Sequence, residues 1–241
     1  MTGVSGKAFL ALTAGALVLL AVGGAGGYGL RVQQDRAVRE AALRARLLHH
    51  AEGAAYRSRL SHFAALPDGP TTIMLGDSLT GGAQWQELLG ASVANRGIGG
   101  DTVAGVRARL AQSVPPSTRR VFLMIGFNDM IQASGSPQTA ARDTAAIVAA
   151  LTGKTVYLQS VLYTQDPAAN ARIRRLNGLN RDLCARGPCT YLDIGAALQP
   201  AGVMPPELSY DGVHLNGEAY RRWAAVIRPL VVAGQARDAA A

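Results

Sequence analysis

Short apolar runs alternate with longer segments of helical spacing along the chain from Thr71 onward. The run Ile73-Met74-Leu75 contains no polar residue, which is typical of a strand buried on both faces of a parallel sheet. The pattern predicts strands near residues 72–76, 92–95, 120–125, 155–160 and 190–193, and helices near 83–89, 103–111, 138–151, 170–185 and 217–231. Alternation at this spacing implies βαβ units, and therefore an α/β fold whose parallel sheet carries helices on both faces.

A different pattern precedes this α/β region. Residues 8–30 form an uncharged run of about the twenty residues that a helix needs to cross a bilayer. We favour an uncleaved signal anchor, with a cleaved signal peptide as the alternative. An Arg- and Ala-rich stretch then predicts a helix, which ends at the turn-forming residues 67–70. The predicted segments are a signal anchor or signal peptide (1–30), a helical linker (31–70), an α/β domain (71–235) and a tail (236–241).

Two conflicting observations bear on the side of the membrane at which the α/β domain is expected. Several arginines follow the apolar run, and the positive-inside rule would keep that segment cytoplasmic. Cys184 and Cys189 are close in sequence; they form a local disulfide in an oxidising compartment or stay as two buried thiols. We predict a bacterial single-pass membrane protein with a periplasmic or otherwise extracytoplasmic domain, or a secreted protein after cleavage.

Composition and charge narrow the classes of partner. The net charge of +8 is not concentrated in a block of like charges after residue 70, and aromatic residues make up only 5% of the chain. A nucleic-acid-binding protein normally has a clustered basic stripe, often with aromatics for stacking, so we predict no nucleic-acid partner. The two cysteines have no nearby His or further Cys, so no structural zinc site is predicted.

Polar residues at two predicted strand ends suggest nucleophilic catalysis. Ser78 follows the first strand, at the edge of an α/β sheet where ligands bind. His214 precedes the last helix, and Asp211 lies three residues before it. A serine hydroxyl needs a base such as His, and the imidazole needs an acceptor that fixes its orientation. The simpler alternative for the turn at Ser78 is a helix N-cap, to which Asp77 also contributes.

Two further strand ends carry groups that can donate to a negative oxygen. A glycine-rich stretch at residues 97–100 follows the second strand, and an unshielded glycine N–H there can donate to a ligand. Asn128 follows the third strand and offers a side-chain amide of the kind found in oxyanion holes. An Asx turn is the structural alternative for Asn128.

Taken together, the stretches at 76–79, 99–102, 126–129 and 211–214 resemble the GDSL or SGNH family of serine esterases and lipases, over about residues 71–232. The resemblance implies a flavodoxin-like three-layer α/β/α sandwich with a five-stranded parallel sheet. It implies no cofactor and no metal. Phe127 stands where Thr is frequent in the family, which should affect the lining of the pocket more than the chemistry.

The resemblance also implies a role for each candidate residue. Ser78 would be the nucleophile, His214 its base and Asp211 the group that orients the base. The oxyanion hole would consist of the backbone N–H groups of Ser78 and Gly100 and the side-chain amide of Asn128. Asp77 would support the site.

The expected function is hydrolysis of carboxylic esters, with a lysophospholipase-like or acetylhydrolase-like branch suggested by the stretches at 95–97, 172–177 and 191–194. Expected partners are a small-molecule, lipid or carbohydrate ester and, through the N-terminal helix, the membrane. The alternatives are an O-acetyl deacetylase or O-acyltransferase that acts on cell-envelope polysaccharide, and a membrane-tethered binding module without activity. The sequence leaves the oligomeric state, the acyl-chain length and the alcohol open.

Overall fold

Five strands form one sheet in the computed structural model, which describes residues 53–66 and 69–240. All neighbouring pairs are parallel, and the order across the sheet is β2-β1-β3-β4-β5. This is the strand order of flavodoxin-like doubly wound folds. The strands are β1 (Thr72–Gly76), β2 (Ala94–Gly97), β3 (Arg120–Met124), β4 (Thr155–Gln159) and β5 (Thr190–Leu192).

Helices connect the strands and form two sets. Within the described residues they are α1 (Ala54–Ala64), α2 (Ser78–Gly81), α3 (Trp85–Leu89), α4 (Val103–Ala108), α5 (Leu110–Ser113), α6 (Phe127–Met130), α7 (Pro137–Ala150), α8 (Pro167–Ala185), α9 (Ile194–Leu198), a 3₁₀ turn (Pro206–Leu208) and α10 (Gly217–Ala239). Helices α4, α7 and α8 pack together on one face, whereas α3 and α9 pack against α10 on the other. The predicted α/β sheet with helices on both faces is confirmed.

The core lies on both faces of the central strands. β1 is hydrogen-bonded between β2 and β3, and Ile73, Met74 and Leu75 have no exposed surface. On the face covered by α10, the buried ring of Trp85 meets that of Trp223 edge-to-face with centroids 4.9 Å apart. Trp85 therefore packs in the core. The polar residues Asp77 and Ser78 follow directly after the carboxyl end of β1.

Several element boundaries differ from those predicted. The second strand is shifted to Ala94–Gly97, two residues after its predicted start. The single helix predicted at 103–111 is divided into α4 and α5, because the backbone leaves the helical conformation at Arg109. Helix α10 continues through most of the predicted tail, where Asp238 accepts hydrogen bonds from Arg120 and Thr71.

Two other predictions concern the ends of the chain and the cysteines. Cys184, near the end of α8, and Cys189, just before β5, form a disulfide, which is one of the two alternatives that the sequence left open. Across the part of the chain that the structure describes, no helix combines the length and hydropathy needed to span a membrane. The predicted anchor at residues 8–30 lies outside the described residues.

Candidate active site

Ser78 lies at the carboxyl end of β1, as the first residue of α2. The strand must end in a glycine, because a Cβ on Gly76 would lie only 2.3 Å from the Met124 carbonyl oxygen and from Thr80 Oγ1. Asp77 caps the helix, since its Oδ1 accepts the Leu79 N–H at 3.0 Å. The tight turn holds Ser78 half-buried at the edge of the sheet.

The loop between the 3₁₀ turn and α10 brings a histidine to this serine. His214 Nε2 lies 3.2 Å from Ser78 Oγ, and His214 Nδ1 lies 2.7 Å from Asp211 Oδ2. The other carboxylate oxygen, Oδ1, accepts the backbone N–H groups of Val213 and His214 at 2.9 and 2.7 Å. The carboxylate thus fixes both the loop and the imidazole ring.

These hydrogen bonds favour one charge state and one tautomer. The hydrogen bond from the His214 ring, followed by those from the backbone N–H groups, holds the pKa of Asp211 well below its usual range. An ionised Asp211 accepts a hydrogen bond from the Nδ1–H group, which leaves Nε2 with a free lone pair directed at Ser78. Such an arrangement can remove the proton of the hydroxyl.

Gly100 lies in the loop after β2, and Asn128 lies in α6, shortly after β3. Gly100 adopts a positive φ of 76°, a conformation that side chains rarely tolerate. The same loop reaches the serine, because a Cβ on Gly99 would lie 3.8 Å from Ser78 Cβ. Asn128 donates one hydrogen of its amide to the Asp101 carbonyl at 2.8 Å. This bond fixes the orientation of the amide and leaves its second hydrogen for a ligand.

A buried arginine links the loop after β2 to the end of β1, and sequence reasoning missed it. Arg109 is only 1% exposed; its Nε donates to Asp101 Oδ2 at 2.6 Å, and its Nη2 donates to the Gly76 carbonyl at 2.9 Å. Its third contact is Ser113 Oγ at 2.7 Å. Arg109 therefore positions the two segments that carry Ser78 and Gly100.

Two buried carboxyls flank the site. Burial raises the pKa of Asp77 to about 7 and that of Asp129 to about 6, partly offset by backbone N–H groups that each side chain accepts. Neither group contacts Ser78 Oγ or His214 directly in the hydrogen-bond network. Their protonation therefore bears on stability rather than on the proton path.

We predict that Asp77→Asn removes part of the pH dependence of stability. Folding raises the pKa of Asp77 above its unfolded value, so the folded state binds the proton more tightly and loses stability as the pH rises to about 7. Asn keeps the cap to Leu79 but does not ionise. Between pH 5 and 8 the wild type should lose on the order of 2 kcal/mol more free energy of unfolding than the variant.

Urea unfolding followed by circular dichroism at pH 5, 6, 7 and 8 measures this difference. Asp182→Asn, a change of an exposed carboxyl on α8, is the matched control and should leave the dependence unchanged. Parallel curves for the wild type and Asp77→Asn would contradict the raised pKa.

A cavity of about 480 Å³ adjoins the loop that holds Asp211. Tyr210, which is 74% exposed, forms one wall, and the end of α2 with Gly82 forms another. The remaining lining residues are Ala83, Gln84, Glu87, Leu88, Gly217 and Tyr220. Ser78, Asp211 and His214 do not line this cavity, which has both polar and apolar walls. Among the described residues, no group of three His, Cys, Asp or Glu side chains is arranged to hold a metal ion.

Several solved structures have the same fold as this chain. A Streptococcus pneumonia protein whose name refers to platelet activating factor superposes with a TM-score of 0.68 at 22% identity, covering 81% of this chain and 99% of that one. A GDSL-like lipase from Bacteroides thetaiotaomicron gives 0.63 at 20% identity, covering 74% and 98%. A catalytic mutant of Axe2, an acetylxylan esterase from Geobacillus stearothermophilus, gives 0.58 at 20% identity, covering 66% and 93%. At these identities the likeness concerns the fold.

The sequence comparisons identify the family. No protein of curated function matches the chain significantly. The model of the GDSL-like lipase/acylhydrolase family, in contrast, matches residues 74–222, which run from β1 through the loop of Asp211 and His214 into α10. Because this match covers more than half of the chain, the protein belongs to the GDSL-like lipase/acylhydrolase family.

Proposed function

We propose that this protein is a carboxylic ester hydrolase that uses Ser78 as its nucleophile. One observation carries the proposal: Ser78 Oγ, the His214 ring and the Asp211 carboxylate form a continuous hydrogen-bonded chain, with distances of 3.2 and 2.7 Å. Membership of an acylhydrolase family supports ester hydrolysis in general. The residue roles come from the geometry and from the chemistry of such chains.

In the proposed reaction, His214 Nε2 takes the hydroxyl proton while Ser78 Oγ attacks the ester carbonyl. The tetrahedral intermediate collapses as the imidazolium returns its proton to the leaving alcohol, and an acyl-serine remains. Water then attacks the acyl group with His214 again as the base, which releases the acid and restores the serine. The ionised Asp211 stabilises the imidazolium in both steps.

The negative oxygen of the intermediate would be held by the N–H groups of Ser78 and Gly100 and by the free hydrogen of the Asn128 amide. Backbone donors cost no reorganisation when the charge develops, because the fold has already fixed them. The bond from Asn128 to the Asp101 carbonyl serves the same purpose for the side-chain donor.

Asn128→Ala should therefore lower kcat for an activated ester by about 10²–10³-fold with a smaller change in KM, since the lost donor acts on the transition state. Steady-state hydrolysis of p-nitrophenyl butyrate tests this. Gln132→Ala is the matched control, because Gln132 donates to the backbone carbonyl of Asn128 and not to the site. A kcat for Asn128→Ala within threefold of wild type would remove Asn128 from the oxyanion hole.

A p-nitrophenyl ester series from acetate to palmitate tests the proposed function and the acyl-chain length together. We propose that the acyl chain enters the cavity beside Tyr210, whose volume of about 480 Å³ would limit the length of that chain. A rate that peaks at acetate identifies an acetylesterase, and a peak at medium or long chains identifies a lipase or lysophospholipase. If no ester of the series is hydrolysed and a fluorophosphonate probe fails to label the protein, the protein is a binding module without activity.

A second candidate is removal or transfer of acetyl groups on a polysaccharide. The side chains of His214 and Asp211 are 47% and 52% exposed, which leaves room for an alcohol attached to a large polymer. The structural similarity to an acetylxylan esterase supports an acetylated carbohydrate as substrate. Adding a free sugar during hydrolysis of p-nitrophenyl acetate separates acetyl transfer from acetyl removal. A transferase forms the acetyl sugar, whereas a hydrolase releases acetate at an unchanged rate.

We also propose that the domain acts outside the cytoplasm and is held at the membrane by its N-terminal segment. The Cys184–Cys189 disulfide supports this location, because such bonds persist in oxidising compartments. Cells are prepared with a permeabilised outer envelope and an intact cytoplasmic membrane. Protease added to these cells should degrade the domain while sparing a cytoplasmic marker. Protection equal to that of the marker would overturn the proposal.

A further inference from the structure

A second cavity, of about 750 Å³, lies away from Ser78, between α1, β2 and the segment that joins α2 to α3. Ser78, Asp211 and His214 do not line it. Its basic lining residues are Arg59 and His62 on α1 and Arg96 on β2. None of the described residues that line it is Asp or Glu.

Arg96 is unusual because its side chain is buried while one nitrogen of its guanidinium lacks a hydrogen-bonding partner among the described residues. The residue is only 3% exposed, and its Nε is buried without a hydrogen bond. Its guanidinium carbon lies 4.8 Å from the ring centroid of Phe63, which is the one attractive contact recorded for this charge among the described residues. Burying a charge without a hydrogen-bonding acceptor is costly, so such a group is normally paired.

Arg59 lies over the same ring and frames the other side of the cavity. Its guanidinium carbon is 5.3 Å from the Phe63 centroid, and its Nε and Nη2 donate to the carbonyls of Gly97 and Asn95 at 3.3 and 3.4 Å. These long bonds use part of its donor capacity. Arg109 also approaches the ring, but it is paired with Asp101.

The charges of Arg59 and Arg96 are both disfavoured by their surroundings. Burial, followed by the repulsion of neighbouring arginines, lowers the pKa of both Arg59 and Arg96. An anion in the cavity would relieve both effects, because it would supply acceptors to Arg96 and neutralise the repulsion.

We propose that this cavity binds the phosphate group of a phosphate ester, with Arg96 and Arg59 as its ligands. Guanidinium groups match the geometry of phosphate oxygens, and two of them balance one or two negative charges. The cavity is far larger than a free phosphate, and Phe63, Leu66 and Pro70 on its wall offer apolar contact to the rest of the molecule. The phosphate belongs either to a lipid headgroup or to a soluble phosphate ester. This inference is independent of the ester hydrolysis proposed above.

The test uses the full chain in micelles of an uncharged detergent, in Tris buffer at constant ionic strength. Isothermal titration calorimetry measures binding of inorganic phosphate, of glycerol 3-phosphate, and of mixed micelles that contain phosphatidylglycerol or, for comparison, diacylglycerol. Arg96→Gln and Arg59→Gln are compared with Arg142→Gln, which removes an arginine whose side chain is 73% exposed on α7.

We expect the wild type to bind at least one phosphate-bearing probe, and we expect both Arg96→Gln and Arg59→Gln to weaken that binding by tenfold or more. Arg142→Gln should bind like the wild type. Binding of glycerol 3-phosphate identifies a soluble ester as the ligand, and binding of phosphatidylglycerol micelles alone identifies a lipid headgroup. No binding of any probe, or equal loss in Arg142→Gln, overturns the proposal.

A stability measurement without ligand separates the binding role from a structural role. If Arg96 is an unpaired charge awaiting an anion, Arg96→Gln should raise the unfolding midpoint in phosphate-free buffer and abolish its increase on addition of phosphate. A lower midpoint in that buffer would mean that the contact with Phe63 is its role, and would overturn the proposal. Hydrolysis of p-nitrophenyl butyrate should stay within twofold of wild type in both variants, so failure of the ester hydrolase proposal would be seen separately.

Discussion

Replacing Ser78 by Ala is expected to lower kcat/KM for ester hydrolysis by about 10⁴- to 10⁶-fold. The substitution removes only Oγ, which lies 3.2 Å from His214 Nε2 and is the atom that would form the acyl-enzyme. The cap from Asp77 to Leu79 does not involve the serine side chain, so the turn should keep its structure. The residual rate would come from the remaining donors and the bound geometry.

Two measurements test this prediction. Steady-state hydrolysis of p-nitrophenyl acetate and butyrate measures the rate, and labelling by a fluorophosphonate measures whether the nucleophile is present. Ser136→Ala is the matched control: Ser136 caps α7 on the surface, so its loss should cost stability of about 1 kcal/mol and no activity. Wild-type rates in Ser78→Ala would place the nucleophile elsewhere and end the proposed mechanism.

The strand ends could be predicted because parallel strands impose a simple rule. Apolar runs such as Ile73-Met74-Leu75 identify buried strands, and the polar residues that follow them collect at one edge of the sheet. This rule places Ser78 at that edge. It does not place His214, whose loop lies between the 3₁₀ turn and α10 and reaches Ser78 across 136 residues through tertiary packing. The strand order itself needed the family resemblance, because alternation alone fits several topologies.

Arg109 could not be predicted because its partners come from other segments. In sequence it lies in a helical stretch after Arg107, where a charged residue normally faces water. It is buried because the Asp101 carboxylate, on the loop after β2, and the Gly76 carbonyl, at the end of β1, together accept its hydrogen bonds. The orientation of the Asn128 amide depends on the same tertiary detail, since it donates to the Asp101 carbonyl.

The misplaced end of β2, which reaches Gly97 instead of residue 95, has a similar cause. Arg96 and Gly97 are predicted as a loop because strands disfavour such charged and glycine residues. Residues from α1 and α2 make the strand possible: Arg59 donates to its carbonyls, and the Asn95 amide donates to the carbonyls of Gly81 and Ala83. A single segment does not reveal a contact with a helix that lies more than 30 residues away.

The second large effect is expected from Asp211→Asn, which should lower kcat by about 10⁴-fold. The Asn side chain can keep its oxygen on the backbone N–H groups of Val213 and His214, so the loop stays in place. Its amide hydrogens then face His214 Nδ1 and force that atom to accept. The ring proton moves to Nε2, which can no longer take the proton of Ser78.

Hydrolysis of p-nitrophenyl butyrate from pH 5 to 9 measures the effect, and the loss should persist across this range because it follows from the tautomer and not from a titration. Asp166→Asn is the matched control, since Asp166 caps α8 through the Ala168 N–H and an Asn at a cap is nearly equivalent. The wild-type carboxylate should stay ionised throughout, because its hydrogen bonds to His214 and to the backbone hold its pKa well below this range. A loss of less than tenfold would mean that the exposed His214 ring is oriented by water and that Asp211 mainly shapes the loop.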